Sequence, residues 1–325
     1  MIPFSKPFID PAWIDLLTGV DGLVPWGSDT KNPKISNGER CRQLEEKVAK
    51  ISGADYGISC SSCTQGMILG LGASGARGEC YTQSFTWKST GVAAQLQGSH
   101  VTLREIDGER WTAAHYKVST DKGERAYAIA VDTFGMQYEP ISYIPMFFDR
   151  AHSLGVRFRT LGVASFLSFS PSKIITGMEG GMILSNKKNF VEAMTNARDL
   201  ISRMSEASAA MVLAGLKHLP ELLEWKKETY NFYKQRFPEC QFQSGQGNHQ
   251  VIGMLFENEV LRDKVFDALK DEVEFKRYYE PLHLMNPNSP PLPITESIHS
   301  RILCLPSWYK CQRDEIAEKI RAVME

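Results

Sequence analysis

The stretch SFLSFSPSKIITGMEGG, residues 165–181, decides how this chain is read. An apolar run ends in two hydroxyls, Ser168 and Ser170, reaches one lysine, Lys173, and passes at once to a glutamate and a glycine pair. A solvated turn lysine needs no such setting. Upstream, IPMFFD closes an apolar run on Asp149, with His152 three residues later, and DYGISC runs into Ser61, Ser62, Cys63 and Thr64 where a helical pattern begins. Further runs read as strands (GECYTQ, SHVTLREI, RAYAIAVDTFG, GGMILS) and alternate with helical ones. Residues 38–54 place Leu44, Val48 and Ile51 at helical spacing and close on Gly53. Apolar strands separated by helices predict an α/β fold, with a mainly parallel sheet covered on both faces and ligands gathered at the carboxyl ends of the strands.

Beyond residue 187 the pattern turns helical, and Pro220 marks a kink or break within it. After Pro238 a strand (VIGMLF) and two helices (LRDKVFDALKD, RDEIAEKIRAVME) read as a smaller α+β unit, with residues 286–297, NPNSPPLPITES, as a proline-rich loop. The expected division is a large domain over 1–218 and a small C-terminal domain over 219–325. With 325 residues, 42% hydrophobic, the chain can bury a large core. A formal charge of -1, with both signs interspersed, offers no basic field for nucleic acid or an anionic membrane. No apolar run is long enough to span a bilayer and no basic, apolar leader opens the chain, so a cytoplasmic protein is expected.

Seven cysteines, an odd number, scattered from Cys41 to Cys311, suit a reducing compartment rather than a disulfide framework. Cys60 and Cys63 form a CxxC that is either half a metal or dithiol site or a strand end running into a turn. No second CxxC or HxxxH accompanies it, and no metal site is expected.

A helix N-terminus with hydroxyls and free N–H groups is an anion site, although Ser62 or Thr64 could equally be a plain cap. What sets this chain apart is the conjunction of that turn, a strand-terminal aspartate and a lysine after the next polar strand. Pyridoxal phosphate needs those three things: donors for its phosphate, a carboxylate for its pyridine nitrogen and a lysine for its aldehyde. The order of motifs also resembles the DegT/DnrJ/StrS group of sugar aminotransferases, pyridoxal-phosphate enzymes of the type I aminotransferase fold. The resemblance runs nearly end to end, through IPFSKPFI, NGERCRQLEEKVAKISGADYGIS, SSCTQGM, SFTWKST, VDTFG, FFDRAHSLG, SFSPSKIITGMEGGMI, RMSEASAAMVLAGLKHL, YYEPLH and ILCLPSWYKCQRDEI.

The resemblance implies that Lys173 forms the Schiff base and then shuttles the proton, that Asp149 pairs with the pyridinium and that His152 lies on the phenolic-oxygen side. Trp87 would stack on the ring, a reading that competes with a simple core position. Ser62, Thr64 and Ser168 would donate to the phosphate, with Cys63 in the same turn where the family commonly has glycine. Arg203 would retain part of the role of a loop that, in the family, reaches the neighbouring subunit's site. Related dehydratases carry histidine at the lysine position, so Lys173 favours transamination: amino transfer from glutamate or glutamine to a keto group of a nucleotide-linked deoxysugar, by a homodimer. Departures include Asp132, where a neutral polar residue is usual, and short stretches between Gly135 and Asp149 and between Gly181 and Arg203. Tyr279 and His283 resemble a substrate-side motif but suit turn roles equally. A different keto substrate, such as a cyclitol or modified nucleoside, and a non-catalytic scaffold are the alternatives.

Overall fold

The computed structural model describes residues 1–18, 36–114, 126–138, 144–286 and 288–325. The elements begin with a short helix α1 (Trp13–Thr18) and α2 (Glu39–Ser52), followed by β1 (Tyr56–Cys60), α3 (Cys63–Ser74), β2 (Glu79–Gln83), α4 (Ser89–Gln95) and β3 (His100–Arg104). Next come β4 (Ala126–Val131), β5 (Met146–Asp149), β6 (Ala164–Ser168) and β7 (Gly181–Ser185), then α5 (Lys188–Ile201) and α6 (Glu206–Gly215). The sheet order is β1-β7-β6-β5-β4-β2-β3. Neighbours from β6 across to β3 are parallel, while β7 runs antiparallel to both β6 and β1. Strands β5, β6 and β7 are buried along their whole length, as a sheet covered on both faces requires.

Local chemistry explains the helix limits. Helix α2 ends on Gly53, whose φ of 77° is open to glycine at little cost and whose N–H closes the last turn. Its start is capped from far away in sequence. The buried Glu206 carboxylate accepts the N–H groups of Gly38 (2.8 Å), Arg40 (2.8 Å) and Cys41 (3.1 Å), so the glutamate of the RMSE motif is a structural cap.

The helical region breaks where Pro220 predicts. A 3-10 turn over Leu216–His218 leads into α7 (Leu219–Arg236), with the proline in its first turn, where the missing N–H is harmless. Beyond it lie β8 (Gln241–Phe242), β9 (Ile252–Leu255), α8 (Glu259–Leu269), α9 (Pro293–Arg301), β10 (Ile302–Leu305) and α10 (Arg313–Met324), with β10, β9 and β8 in a separate antiparallel sheet. A core of its own surrounds Tyr233, Met254, Val265, Leu303 and Ile316.

The proline-rich loop is corrected in part. Residues 293–297 open helix α9, because Pro293 stands at its start and Glu105 accepts the N–H groups of Ile294 (3.0 Å) and Thr295 (2.8 Å). The stretch between Gly135 and Asp149 includes residues 139–143, outside the described residues. Between Gly181 and Arg203 the chain is β7 followed by α5. Among the described residues no helix is long and apolar enough to cross a membrane.

Candidate active site

The carboxyl ends of β5 and β6, the start of α3 and the loop after β6 surround a cavity of about 300 Å³. Every nominated residue but Arg203 lines it: Ser62, Cys63 and Thr64 from α3, Trp87, Asp149, His152, Ser168 and Lys173. Arg203 lies exposed between α5 and α6, outside the cavity wall of this single chain.

Helix α3 enters end-on. Ser62 is its N-cap, accepting the N–H of Gln65 (3.2 Å), so the capping reading holds for this serine. The first N–H groups, those of Cys63 and Thr64, have no partner within a helix and carry its positive end. Strand β7 runs against this turn so closely that a Cβ at Gly181 would sit 2.5 Å from the Cys63 nitrogen. This approach explains the glycine that ends MEGG. Cys60 ends β1 and Cys63 begins α3, so the CxxC is a strand end followed by a helix start. Burial pushes the Cys60 thiol up to about 12 and the Cys63 thiol well above its usual value. Neither is the exposed, low-pKa thiol of a redox site.

Asp149 ends β5 with its carboxylate buried. Thr90 of α4 donates to Oδ2 at 2.7 Å and the Ala151 N–H to Oδ1 at 3.1 Å. Burial raises its pKa, opposed by the Thr90 and Ala151 hydrogen bonds and by the charge of Lys173. Asp132, the departure from the expected neutral residue, is wholly buried beside it and is met by a countercharge. Arg150 donates to it at 3.0 Å, Ser153 at 3.1 Å and the Tyr138 N–H at 3.0 Å, and the guanidinium lies between the rings of Phe148 and Phe158.

Lys173 follows β6 on a loop held from both sides by Gln250. The Gln250 amide donates to the carbonyl of Ser172 (2.9 Å) and accepts from the N–H of Ile174 (2.8 Å). Burial lowers the Lys173 pKa to about 8, with Cys63 and Asp149 opposing. His152 is pushed well below its usual range by burial and by the positive charges of Lys173 and Lys226, so its ring is neutral. The Tyr279 hydroxyl lies 3.4 Å from its ring nitrogens, and burial keeps that phenol protonated.

Trp87 is 55% exposed at the cavity wall, which excludes the core alternative. The Tyr279 and His283 pair divides. Tyr279 lines the cavity, whereas His283 is buried in a tie from Ser84 Oγ (2.7 Å) to Glu296 (3.0 Å). Thr90, Glu179 and Tyr278 also belong to the site but were not nominated from the sequence. Each nevertheless lies in a stretch the sequence singles out: Thr90 is the last hydroxyl of SFTWKST, Glu179 the glutamate of MEGG and Tyr278 the first tyrosine of YYEPLH.

This donor set fits pyridoxal phosphate: a lysine of lowered pKa, a buried carboxylate at a strand end, and a hydroxyl-bearing helix N-terminus within one cavity. Comparison with known proteins agrees. The model of the DegT/DnrJ/EryC1/StrS aminotransferase family matches residues 29–324. The chain is 27% identical over 275 residues to the UDP-4-amino-4,6-dideoxy-N-acetyl-beta-L-altrosamine transaminase of Campylobacter jejuni subsp. jejuni serotype O:23/36 (strain 81-176), covering 73% of this chain and 70% of that protein. It is 24% identical over 337 residues to the dTDP-4-amino-4,6-dideoxy-D-glucose transaminase of Shigella dysenteriae, covering 89% and 91%. Among solved structures, DesI in the presence of its TDP-sugar product superposes with a TM-score of 0.85 at 24% identity, over 99% of this chain and 92% of that one. The aminotransferase TlmJ from Streptoalloteichus hindustanus gives 0.87 at 19% identity, over 100% and 99%. With the family model spanning nearly the whole chain and the cavity carrying the matching donor set, the protein belongs to the DegT/DnrJ/EryC1/StrS aminotransferase family and is a pyridoxal-phosphate-dependent aminotransferase.

Proposed function

We propose that the protein transfers an amino group from glutamate or glutamine to a keto group of a nucleotide-linked deoxysugar. The observation that carries this reading is the single cavity holding Lys173, Asp149 and the start of α3. Relatives that transaminate UDP- and dTDP-linked amino-dideoxysugars support the substrate class.

Bound pyridoxal phosphate supplies the electron sink for charge developing at the reacting carbon. The chain's own groups do the rest. Lys173 anchors the cofactor and then carries the proton on its Nζ, a task eased by its lowered pKa. Asp149, oriented by Thr90, holds the proton on the ring nitrogen. His152, kept neutral and with the Tyr279 hydroxyl 3.4 Å from its ring nitrogens, would serve the phenolic-oxygen side of the bound cofactor. Thr64, Ser62, Ser168 and the first N–H groups of α3, those of Cys63 and Thr64, receive the phosphate, and Trp87 covers the ring.

Arg203 acts on a neighbouring subunit's substrate in this proposal, which makes the protein a homodimer. Exposed apolar side chains near the cavity and α5, namely Met178 (50%), Leu200 (81%) and Ile201 (68%), support an interface there. A single-subunit mass by sedimentation would count against it. Free thiols at Cys41, Cys60, Cys63, Cys80, Cys240, Cys304 and Cys311 support a cytoplasmic setting. The separate core that includes Tyr233 of α7 and residues beyond it supports the division into domains 1–218 and 219–325.

The direct test supplies L-glutamate or L-glutamine with a panel of UDP- and dTDP-linked keto-deoxysugars and follows the sugar by mass spectrometry. Exchange of the keto oxygen for an amine on a nucleotide-linked sugar is expected. Transfer confined to free cyclitols or modified nucleosides, or no transfer, would defeat the proposal.

Two further results are expected. Protein stripped of cofactor should take up pyridoxal phosphate at a rate that rises with pH and levels off above about 8, since only the neutral amine attacks a carbonyl. Stopped-flow absorbance checks this. A rate still climbing toward the ordinary lysine value of ~10.4 would contradict it. Thr90→Val removes the 2.7 Å hydrogen bond to Asp149. A hydrogen bond to a charged group is worth ~1.5–3 kcal/mol, so cofactor affinity and turnover should each fall ~10-fold or more. Unchanged values in both measurements would refute the orienting role.

A further inference from the structure

We propose that a small crevice on a second side of Lys173 binds the α-carboxylate of the amino donor, with Lys226 as its countercharge. The inference rests on the aminotransferase reading above and assigns one further subsite within it.

Lys226 projects from α7 and, among the described residues, is the one lysine counted in the buried interior, at 7% exposure. Its ammonium donates to the carbonyl of Gln250 (2.9 Å) and to Ser307 Oγ (2.9 Å), both neutral. An ammonium has three N–H groups, so a donor remains. A buried charge without a countercharge is costly, and burial pushes Lys226 down to about 8 with no carboxylate opposing it. An anion arriving beside it would recover part of that cost.

The crevice has the matching chemistry. Lys6, Lys226, Lys173, Ser172, Ser307 and Tyr278 are among its polar lining, and no aspartate or glutamate among the described residues lines it. Its volume of about 50 Å³ suits a carboxylate, whereas the cofactor cavity measures about 300 Å³. The two cavities share His152, Ser172, Lys173 and Tyr278 as a common wall. A group bound in the crevice therefore lies against the lysine that handles the reacting carbon. The α-carboxylate is one bond from that carbon, and glutamate and glutamine both carry it.

Lys226 is also linked to Lys173 through Gln250, whose carbonyl it contacts and whose side chain grips the residues on either side of Lys173. A purely structural prop would disturb both half-reactions together. An anion subsite disturbs only the donor's.

The test compares wild type with Lys226→Gln, which keeps a donor for the neutral partners, and Lys226→Arg, which keeps the charge. Lys6→Glu serves as a second variant at an exposed position that tolerates change. Calorimetry with 2-oxoglutarate is run on protein with and without cofactor, beside half-saturation for L-glutamate, L-glutamine and a keto-sugar acceptor, with melting curves throughout. Lys226→Gln should weaken 2-oxoglutarate and both amino donors ~10-fold or more, about 1.4 kcal/mol, and leave the acceptor unchanged. Lys226→Arg should retain most of the affinity, and Lys6→Glu should weaken it in the same direction. Equal losses for donor and acceptor, a loss for glutamate but not glutamine, or undiminished 2-oxoglutarate binding in folded variants would each overturn the assignment. Lys226-dependent binding of 2-oxoglutarate by a protein that aminates no nucleotide sugar would uphold this subsite while the substrate proposal fails.

Discussion

Lys173→Ala should abolish amino transfer, lowering it more than ~10⁴-fold, because one side chain serves both as cofactor anchor and as proton carrier. Few substitutions combine two such losses. Borohydride treatment of the loaded wild type should fix the cofactor to the peptide that contains Lys173, and mass spectrometry should find no fixed cofactor in the variant. The fold should survive, since Lys173 is only half-buried and its loop is held by Gln250 through backbone groups. A variant that still transfers amino groups, or a wild type whose fixed cofactor maps to another lysine such as Lys226, would remove Lys173 from the centre of the reaction.

Asp149→Ala should lower turnover ~10²–10³-fold, the scale on which a preorganised electrostatic group in a water-excluded site acts. The melting temperature should move little or rise. Asp149 is a buried carboxylate whose pKa burial pushes up, so the folded chain carries a charge it stabilises incompletely without cofactor. Removing it relieves that burden while leaving the Thr90 hydroxyl able to turn to Thr86, 3.2 Å away. Loss of stability in step with loss of turnover would make Asp149 a structural residue. Asp132 offers the contrast. Its carboxylate is paired with Arg150 and two other donors, so its removal leaves a buried guanidinium without its partner and should destabilise the fold.

Most strands and helices, and the three polar groups that share the cavity, were legible because each has a local cause. Ser62 caps α3 through a bond to a residue three positions on, Pro220 sits in the first turn of α7 and Gly53 ends α2, both through their own backbone constraints. Lys173 and Asp149 stood out because apolar strands that end in polar side chains leave them at the carboxyl edge of a sheet. Other outcomes needed distant segments. Thr90 reaches Asp149 across 59 positions, Glu206 caps α2 across more than 160, and Glu105 turns part of a proline-rich loop into α9 from 189 positions away. Trp87 could be core or cofactor wall until the fold left it exposed, and Tyr279 and His283, four residues apart, parted into cavity and structural tie.

By itself the sequence determined the α/β character, the order of the motifs and the nomination of Lys173, since these follow from periodicity, capping and side-chain chemistry along the chain. Tertiary structure alone decided which polar groups share a cavity, which charges are paired and which are left without a countercharge. Desolvation and the distance between charges depend on what other segments bring alongside: the same lysine side chain is a solvated ion at one position and, at Lys173 or Lys226, a group whose pKa is lowered to about 8.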